Sequence, residues 1–177
     1  MTNLINLITI SRIILAPIIL LFLMLDNYLI CILLLFIAGV SDYFDGYFAR
    51  KYQSESQLGE ILDPIADKIL IVFVLIGLSV VLDSYLIAVL SSFIIAREIG
   101  VAALRDYSAR NNISNRTKVT FLAKTKTAVQ LLSIGSYLFA LTINFNLLIV
   151  ISDILLMIAT LITLYTGYQY ANSVFKG

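Results

Sequence analysis

Residues 42–67 read D-Y-F-D-G-Y-F-A-R-K-Y-Q-S-E-S-Q-L-G-E-I-L-D-P-I-A-D, and apolar runs at 28–47 and 62–82 close on them from either side. Four carboxylates, Asp42, Asp45, Asp63 and Asp67, therefore stand inside or at the ends of two stretches long enough to cross a bilayer as helices. An ionisable group at that depth is costly, so each calls for a partner. Asp42 lies 15 residues after Asn27 and Asp67 lies 15 before Leu82, while Asp45 and Asp63 lie 18 and 19 away. At about 1.5 Å per residue, two antiparallel helices then carry matched carboxylate layers roughly 22 and 28 Å in from the turns near 26 and 83. Being adjacent in sequence, these two spans are expected to pack on each other.

Four further apolar runs fall at 11–25, 84–104, 127–143 and 147–170, so the chain is expected to be an all-α integral membrane protein with six transmembrane helices. Composition agrees. The 177 residues are 60% hydrophobic and 13% charged with a mean hydropathy of +0.99, where soluble domains run near 25% charged. Six spans leave no room for a separate soluble domain, and residues 1–177 read as one membrane domain.

The breaks at Asp26-Asn27, Asp83-Ser84 and Asn144-Phe145-Asn146 hold no Lys or Arg, whereas those at 50–58 and 105–126 are rich in both. By the positive-inside rule the basic face is cytoplasmic, which puts both termini there and the protein in the cell's cytoplasmic (inner) membrane, multi-pass. The outer breaks recur roughly every 58 residues, giving three hairpins. Leu25-Asp26-Asn27-Tyr28 offers no small-residue cleavage site, so 11–25 is expected to remain as the first span. The ten residues before it, with Asn3, Asn6 and Thr9, are expected to lie along the interface, and Pro17 to kink the first helix.

Absences bound the chemistry. Twelve Lys plus Arg against eleven Asp plus Glu leave a net charge of +1, which gives no support to nucleic-acid binding. Zero His removes imidazole bases and histidine metal ligands. The single Cys31 makes no internal disulfide and reads as a packing residue.

At about 100° per residue, with Asp42 at zero, Asp45 falls at about −60°, Ala49 at about −20°, Gly46 at about +40° and Arg50 at about +80°. Tyr43, Phe44, Tyr47 and Phe48 take the other side. On the next span Gly59, Asp63 and Asp67 form one stripe. Four converging carboxylates in low dielectric repel unless protons or cations relieve them. With oxygen ligands only, hard Mg²⁺ or Mn²⁺ is the economical answer, and four carboxylates can bridge two ions. Gly46 and Ala49 let a bulky ligand approach the helix, and Arg50 is placed for phosphate, a combination that suggests a metal-bound diphosphate.

The same segment matches the pattern D-x2-D-G-x2-A-R-x8-G-x3-D-x3-D at all eight fixed positions and so resembles the CDP-alcohol phosphatidyltransferases. The resemblance implies six transmembrane helices, a homodimer, and transfer of a substituted phosphate from a CDP-linked donor to an alcohol with release of CMP. It implies that Asp42, Asp45 and Asp63 ligate two metals and that Asp67 is a metal-adjacent general base. Asp45, Gly46, Ala49, Arg50 and Gly59 would contact the CDP donor.

The acceptor must be read from other polar residues in the spans. Arg97-Glu98 lies 13 residues after Ser84 and so roughly 20 Å in, with Lys126 and Gln130 at comparable depth. Arg105, Arg110, Arg116, Lys118 and Lys124 crowd the same cytoplasmic mouth. Carboxylates on one wall and cations on another suit an anionic acceptor such as a sugar-alcohol phosphate. Arg116, Lys118 and Lys124 have the plainer role of setting topology, and for Arg97 an ion pair with Glu98 competes with a substrate role.

R-E-I-G-V-A-A-L-R at 97–105, K-T-K-T-A at 124–128 and the N-terminal spacing Asn6, Thr9, Arg12, Pro17 resemble the branch of the family that uses glycerol 3-phosphate. Ile5 and Ala123 depart from that branch's usual Pro and Gly. What this implies is CDP-diacylglycerol as donor within the membrane lipid, glycerol 3-phosphate as acceptor, and acceptor contacts from Asn6, Thr9, Arg97, Arg105, Arg110 and Lys126. Within the class the rivals are other acceptors: inositol phosphate, phosphatidylglycerol, serine or choline. Outside it, an acidic cation transporter would also place Asp on facing helices, but it would spread polar residues into the outer half as well.

Overall fold

The computed structural model describes residues 2–52, 57–111 and 121–175, with side chains apart from those of 2–8, 42–52, 57–61, 63, 64 and 121–124. These residues form six helices: α1 Thr2–Met24, α2 Tyr28–Tyr52, α3 Gln57–Val81, α4 Tyr85–Arg110, α5 Phe121–Ile143 and α6 Asn146–Phe175. Residues 2–10 continue α1 rather than forming a separate interfacial segment, since neither Pro nor Gly interrupts the helical ladder before Pro17.

The three turns without Lys or Arg share one construction. Asp26, Asp83 and Asn144 carry φ of 57°, 45° and 53°, the left-handed conformation that Asp and Asn tolerate better than most side chains. In each, two amides turn back on the last helical carbonyls: Asp26 to Leu23 and Asn27 to Phe22, Asp83 to Val80 and Ser84 to Ser79, Asn144 to Leu141 and Phe145 to Ala140. This double bond pattern closes a helix end within two residues. At the second turn the Ser84 hydroxyl also accepts the Ile87 amide at 3.3 Å and caps α4.

Burial is inverted relative to a soluble fold. Phe36, Leu132, Leu161 and Tyr168 are exposed, whereas Arg12, Arg97, Lys126, Gln130, Thr163 and Thr166 are buried. Lipid-facing apolar side chains around a polar interior are the arrangement a bilayer demands. Tyr85–Arg110, Thr125–Ile143 and Asn146–Phe175 are each long and apolar enough to cross a membrane, and Thr9–Met24 and Tyr28–Ser41 are shorter apolar helices. The protein is thus a multi-pass helical membrane protein.

Packing departs from sequence order. α1 packs on both α2 and α3, α3 touches α4 and α5, and α6 packs on α4 and α5. Among the described residues α1 packs on both α2 and α3 and no α2–α3 contact is seen, while the facing ends that carry Asp42, Asp45 and Asp63, where direct pairing is expected, lie outside the described side chains. Gly77 lets α1 in: a Cβ built there would meet the Cδ1 atoms of Leu23 at 2.8 Å and Leu20 at 2.9 Å. Ala16, Ile19, Leu23, Val74 and Leu78 fill the resulting core, and Cys31, as expected, is buried in it, its Sγ 3.6 Å from the Ile19 carbonyl. Gly77→Ala should be tolerated, since only flexible leucine ends must shift. Gly77→Phe should overpack the α1–α3 seam and cost about 1–3 kcal/mol, measured by thermal unfolding in detergent.

Candidate active site

The inner half of the bundle contains a cavity of about 260 Å³ walled by three helices. α3 contributes Asp67 and Lys68, α4 contributes Arg97, Glu98 and Arg105, and α5 contributes Lys126 and Gln130, with Ile71, Val72, Ile94, Ile95, Val101, Ala102 and Thr127 between them. Depth counted along the helices had put Arg97, Lys126 and Gln130 near the inner carboxylate layer, and they share one space with Asp67.

The cationic wall is held from behind by α6. Arg97 donates from Nε to the Thr163 carbonyl at 3.0 Å and from NH2 to Thr166 Oγ1 at 2.8 Å, and its Cζ stands 5.7 Å from the centre of the Tyr170 ring. Gly167 makes this possible, for a Cβ there would lie 2.9 Å from Arg97 Cγ. The third arm of Arg97, NH1, bonds Glu98 Oε1 at 3.1 Å, and Lys126 Nζ bonds the same oxygen. Both the ion pair and the cavity position weighed for Arg97 are therefore present together. Gln130 donates to Thr163 Oγ1 at 3.2 Å. Arg105 donates to the Tyr170 hydroxyl at 3.0 Å and lies over its ring at 5.2 Å. One tyrosine thus orients two guanidinium groups.

On the opposite wall the Arg12 side chain, 1% exposed, meets the Asp67 carboxylate, 52% exposed, at 2.7 Å. The pair ties α1 to α3 and fixes how Asp67 is presented. Asp63 lies one turn earlier on the same face of α3. Asp42, Asp45, Gly46, Ala49 and Arg50 lie on the inner part of α2, and Gly59 near the start of α3; the side chains here, and those of Asp63, Asn6, Arg116, Lys118 and Lys124, lie outside those described. Thr9 is fully buried on α1, one turn before Arg12. Arg110 is placed elsewhere. It is exposed at the end of α4, paired with Asp106 at 2.9 Å, and does not line the cavity.

Among the described residues no three carboxylate or thiol side chains converge. The donor chemistry nevertheless fits a hard divalent cation, since Asp67 presents carboxylate oxygen at the cavity and the chain has no histidine to compete.

Two features of the site have no role assigned from the sequence. Lys68, which lines the cavity, breaks the apolar run 62–82, and Arg12, which holds Asp67 without lining the cavity, opens the run 11–25; a cation in such a run is itself a signal. The α6 supports, Thr163, Thr166, Gly167 and Tyr170, recur at three- and four-residue steps on an otherwise apolar helix. Their small and polar character marks the interior face.

A helical membrane protein whose interior cavity gathers Lys68, Arg97, Arg105 and Lys126 with Asp67 and Glu98 has the charge to hold an anionic ligand at the bilayer. The chain belongs to the CDP-alcohol phosphatidyltransferase family, whose model matches residues 2–166. It is 40% identical over 179 residues to the CDP-diacylglycerol–glycerol-3-phosphate 3-phosphatidyltransferase of Rickettsia bellii, covering 95% of this chain and 93% of that one. The Haemophilus influenzae protein of the same name is 34% identical over 169 residues, covering 92% and 88%. That of Blochmanniella floridana is 39% identical over 147 residues, covering 82% and 75%.

Proposed function

We propose that the chain transfers a phosphatidyl group from CDP-diacylglycerol to glycerol 3-phosphate, giving phosphatidylglycerophosphate and CMP. The relatives' name supports the reaction, and one observation carries the acceptor to this chain. Among the described residues, Lys68, Arg97, Arg105 and Lys126 line the cavity with two carboxylates, Asp67 and Glu98. That surplus suits a phosphate dianion, and a neutral or zwitterionic alcohol would not require it.

In this reading the cytidine diphosphate lies along α2 and the start of α3 at Asp45, Gly46, Ala49, Arg50 and Gly59, with the acyl chains in the membrane. Two Mg²⁺ or Mn²⁺ ions would be held by Asp42, Asp45, Asp63 and Asp67 and would neutralise the diphosphate. Arg105 and Lys126 hold the acceptor's phosphate, with Arg97 beside them and Asn6 and Thr9 contributing from α1. Arg110, outside the cavity, serves to attract the dianion to the mouth. Asp67 takes the proton of the primary hydroxyl as its oxygen bonds to the β-phosphorus, and the bond from that phosphorus to the oxygen retained by CMP breaks. Arg12, locked against Asp67, keeps the carboxylate turned to that task. With no His and a buried Cys31, direct displacement is the economical route.

All six helices span the bilayer in this proposal, with both termini and the cavity mouth cytoplasmic. The clustering of basic residues at that end supports it. The proposal includes a homodimer, on the strength of the family resemblance. Purified protein given CDP-diacylglycerol, Mg²⁺ and one labelled acceptor at a time should release CMP with glycerol 3-phosphate, and EDTA should abolish the release. Activity with inositol phosphate instead would move the chain to a sister acceptor. No CMP with any alcohol would overturn the enzyme reading.

A further inference from the structure

We infer that Glu98 reads the acceptor's secondary hydroxyl and so determines specificity for a vicinal polyol phosphate, an inference that rests on the proposed acceptor. Both cations bound to Glu98 use one oxygen: Arg97 NH1 reaches Oε1 at 3.1 Å and Lys126 Nζ reaches the same atom. Among the described residues Oε2 has no donor. The side chain is 19% exposed and lines the cavity that Asp67, Arg105 and Lys126 share.

A carboxylate facing a space meant for a dianion is repulsive unless the ligand brings a hydrogen-bond donor to it. Neutralising Arg97 and Lys126 engages Oε1 alone, and on this cavity-lining residue it leaves Oε2 without a donor among the described residues. Glycerol 3-phosphate carries two donors. Its primary hydroxyl is spent on Asp67, which leaves the secondary hydroxyl for Glu98 Oε2. Phosphate on the cations, primary hydroxyl at Asp67 and secondary hydroxyl at Glu98 make three anchors, enough to fix which face of the acceptor turns to the donor.

The test compares kcat/KM for glycerol 3-phosphate with that for 3-hydroxypropyl phosphate, which has the same charge and primary hydroxyl but lacks the secondary one. The wild-type protein should prefer glycerol 3-phosphate by about 10²-fold, the size of a hydrogen bond to a charged group. Glu98→Asp keeps the charge that Arg97 and Lys126 need but withdraws the oxygen by one methylene, and the preference should fall below about tenfold. Glu98→Gln provides a second variant, with the same direction expected. A merely structural Glu98 would lower both kcat/KM values together and leave their ratio intact. An unchanged ratio in the folded variants, or equal use of both acceptors by the wild-type protein, overturns the inference alone. Failure of glycerol 3-phosphate while another alcohol releases CMP overturns the proposed function and this inference with it.

Discussion

Asp67→Asn is expected to reduce CMP release at least about 10³-fold while leaving nucleotide binding largely intact, because the amide cannot take the proton of the attacking hydroxyl. The size of the loss is the range that a positioned general base contributes. What distinguishes this from a folding defect is Arg12. Its guanidinium is buried and bonds Asp67 Oδ1 at 2.7 Å, and the amide oxygen of the substituted side chain can still accept that bond. Thermal unfolding of Asp67→Asn in detergent should therefore stay close to the wild type. Asp67→Ala removes the acceptor as well and should cost about 2 kcal/mol in addition to the activity. Equal destabilisation by both substitutions, with activity lost only in proportion, would make the Arg12–Asp67 pair a purely structural tie between α1 and α3.

Glu98→Ala should be among the most destabilising single changes in the described cavity, at about 3–5 kcal/mol, because it leaves two buried cations without their shared carboxylate. Arg97 retains Thr163, Thr166 and the Tyr170 ring. Lys126, whose side chain is 8% exposed, has Glu98 as its ion-pair partner among the described residues and bears most of the cost. Adding Lys126→Met to Glu98→Ala should recover a large part of the loss, since an apolar side chain of similar length tolerates the site that an unpaired ammonium does not. The double-mutant cycle measures the coupling directly from unfolding midpoints. Additive effects of the two substitutions would show that Lys126 finds another partner. Activity should not return with stability, because Lys126 belongs to the proposed phosphate site.

Much of this was legible because a bilayer leaves so few reasons for a polar residue. Asp26, Asp83 and Asn144 marked three turns, and each holds the left-handed residue that closes a helix. The depth of Arg97, Lys126 and Gln130, counted along a helix of fixed rise, put them at the level of Asp67, where the cavity lies. Arg110 was a cation of the right kind one helix segment too late, and it pairs with Asp106 outside the cavity. Periodicity along one helix cannot say where that helix ends its contact with its neighbours.

The sequence by itself determined that the chain is a helical membrane protein, where its turns fall, and that its carboxylates and cations gather at one end. Those follow from hydropathy, helical rise and charge, which are local or additive properties. Only the tertiary structure decided that α1 packs on both α2 and α3, that Arg12 holds Asp67, and that α6 supports Arg97 through Thr163, Thr166 and Tyr170. These contacts join residues 55 to 73 positions apart. They depend on which helix faces fit together, and a single strand of letters carries no term for that.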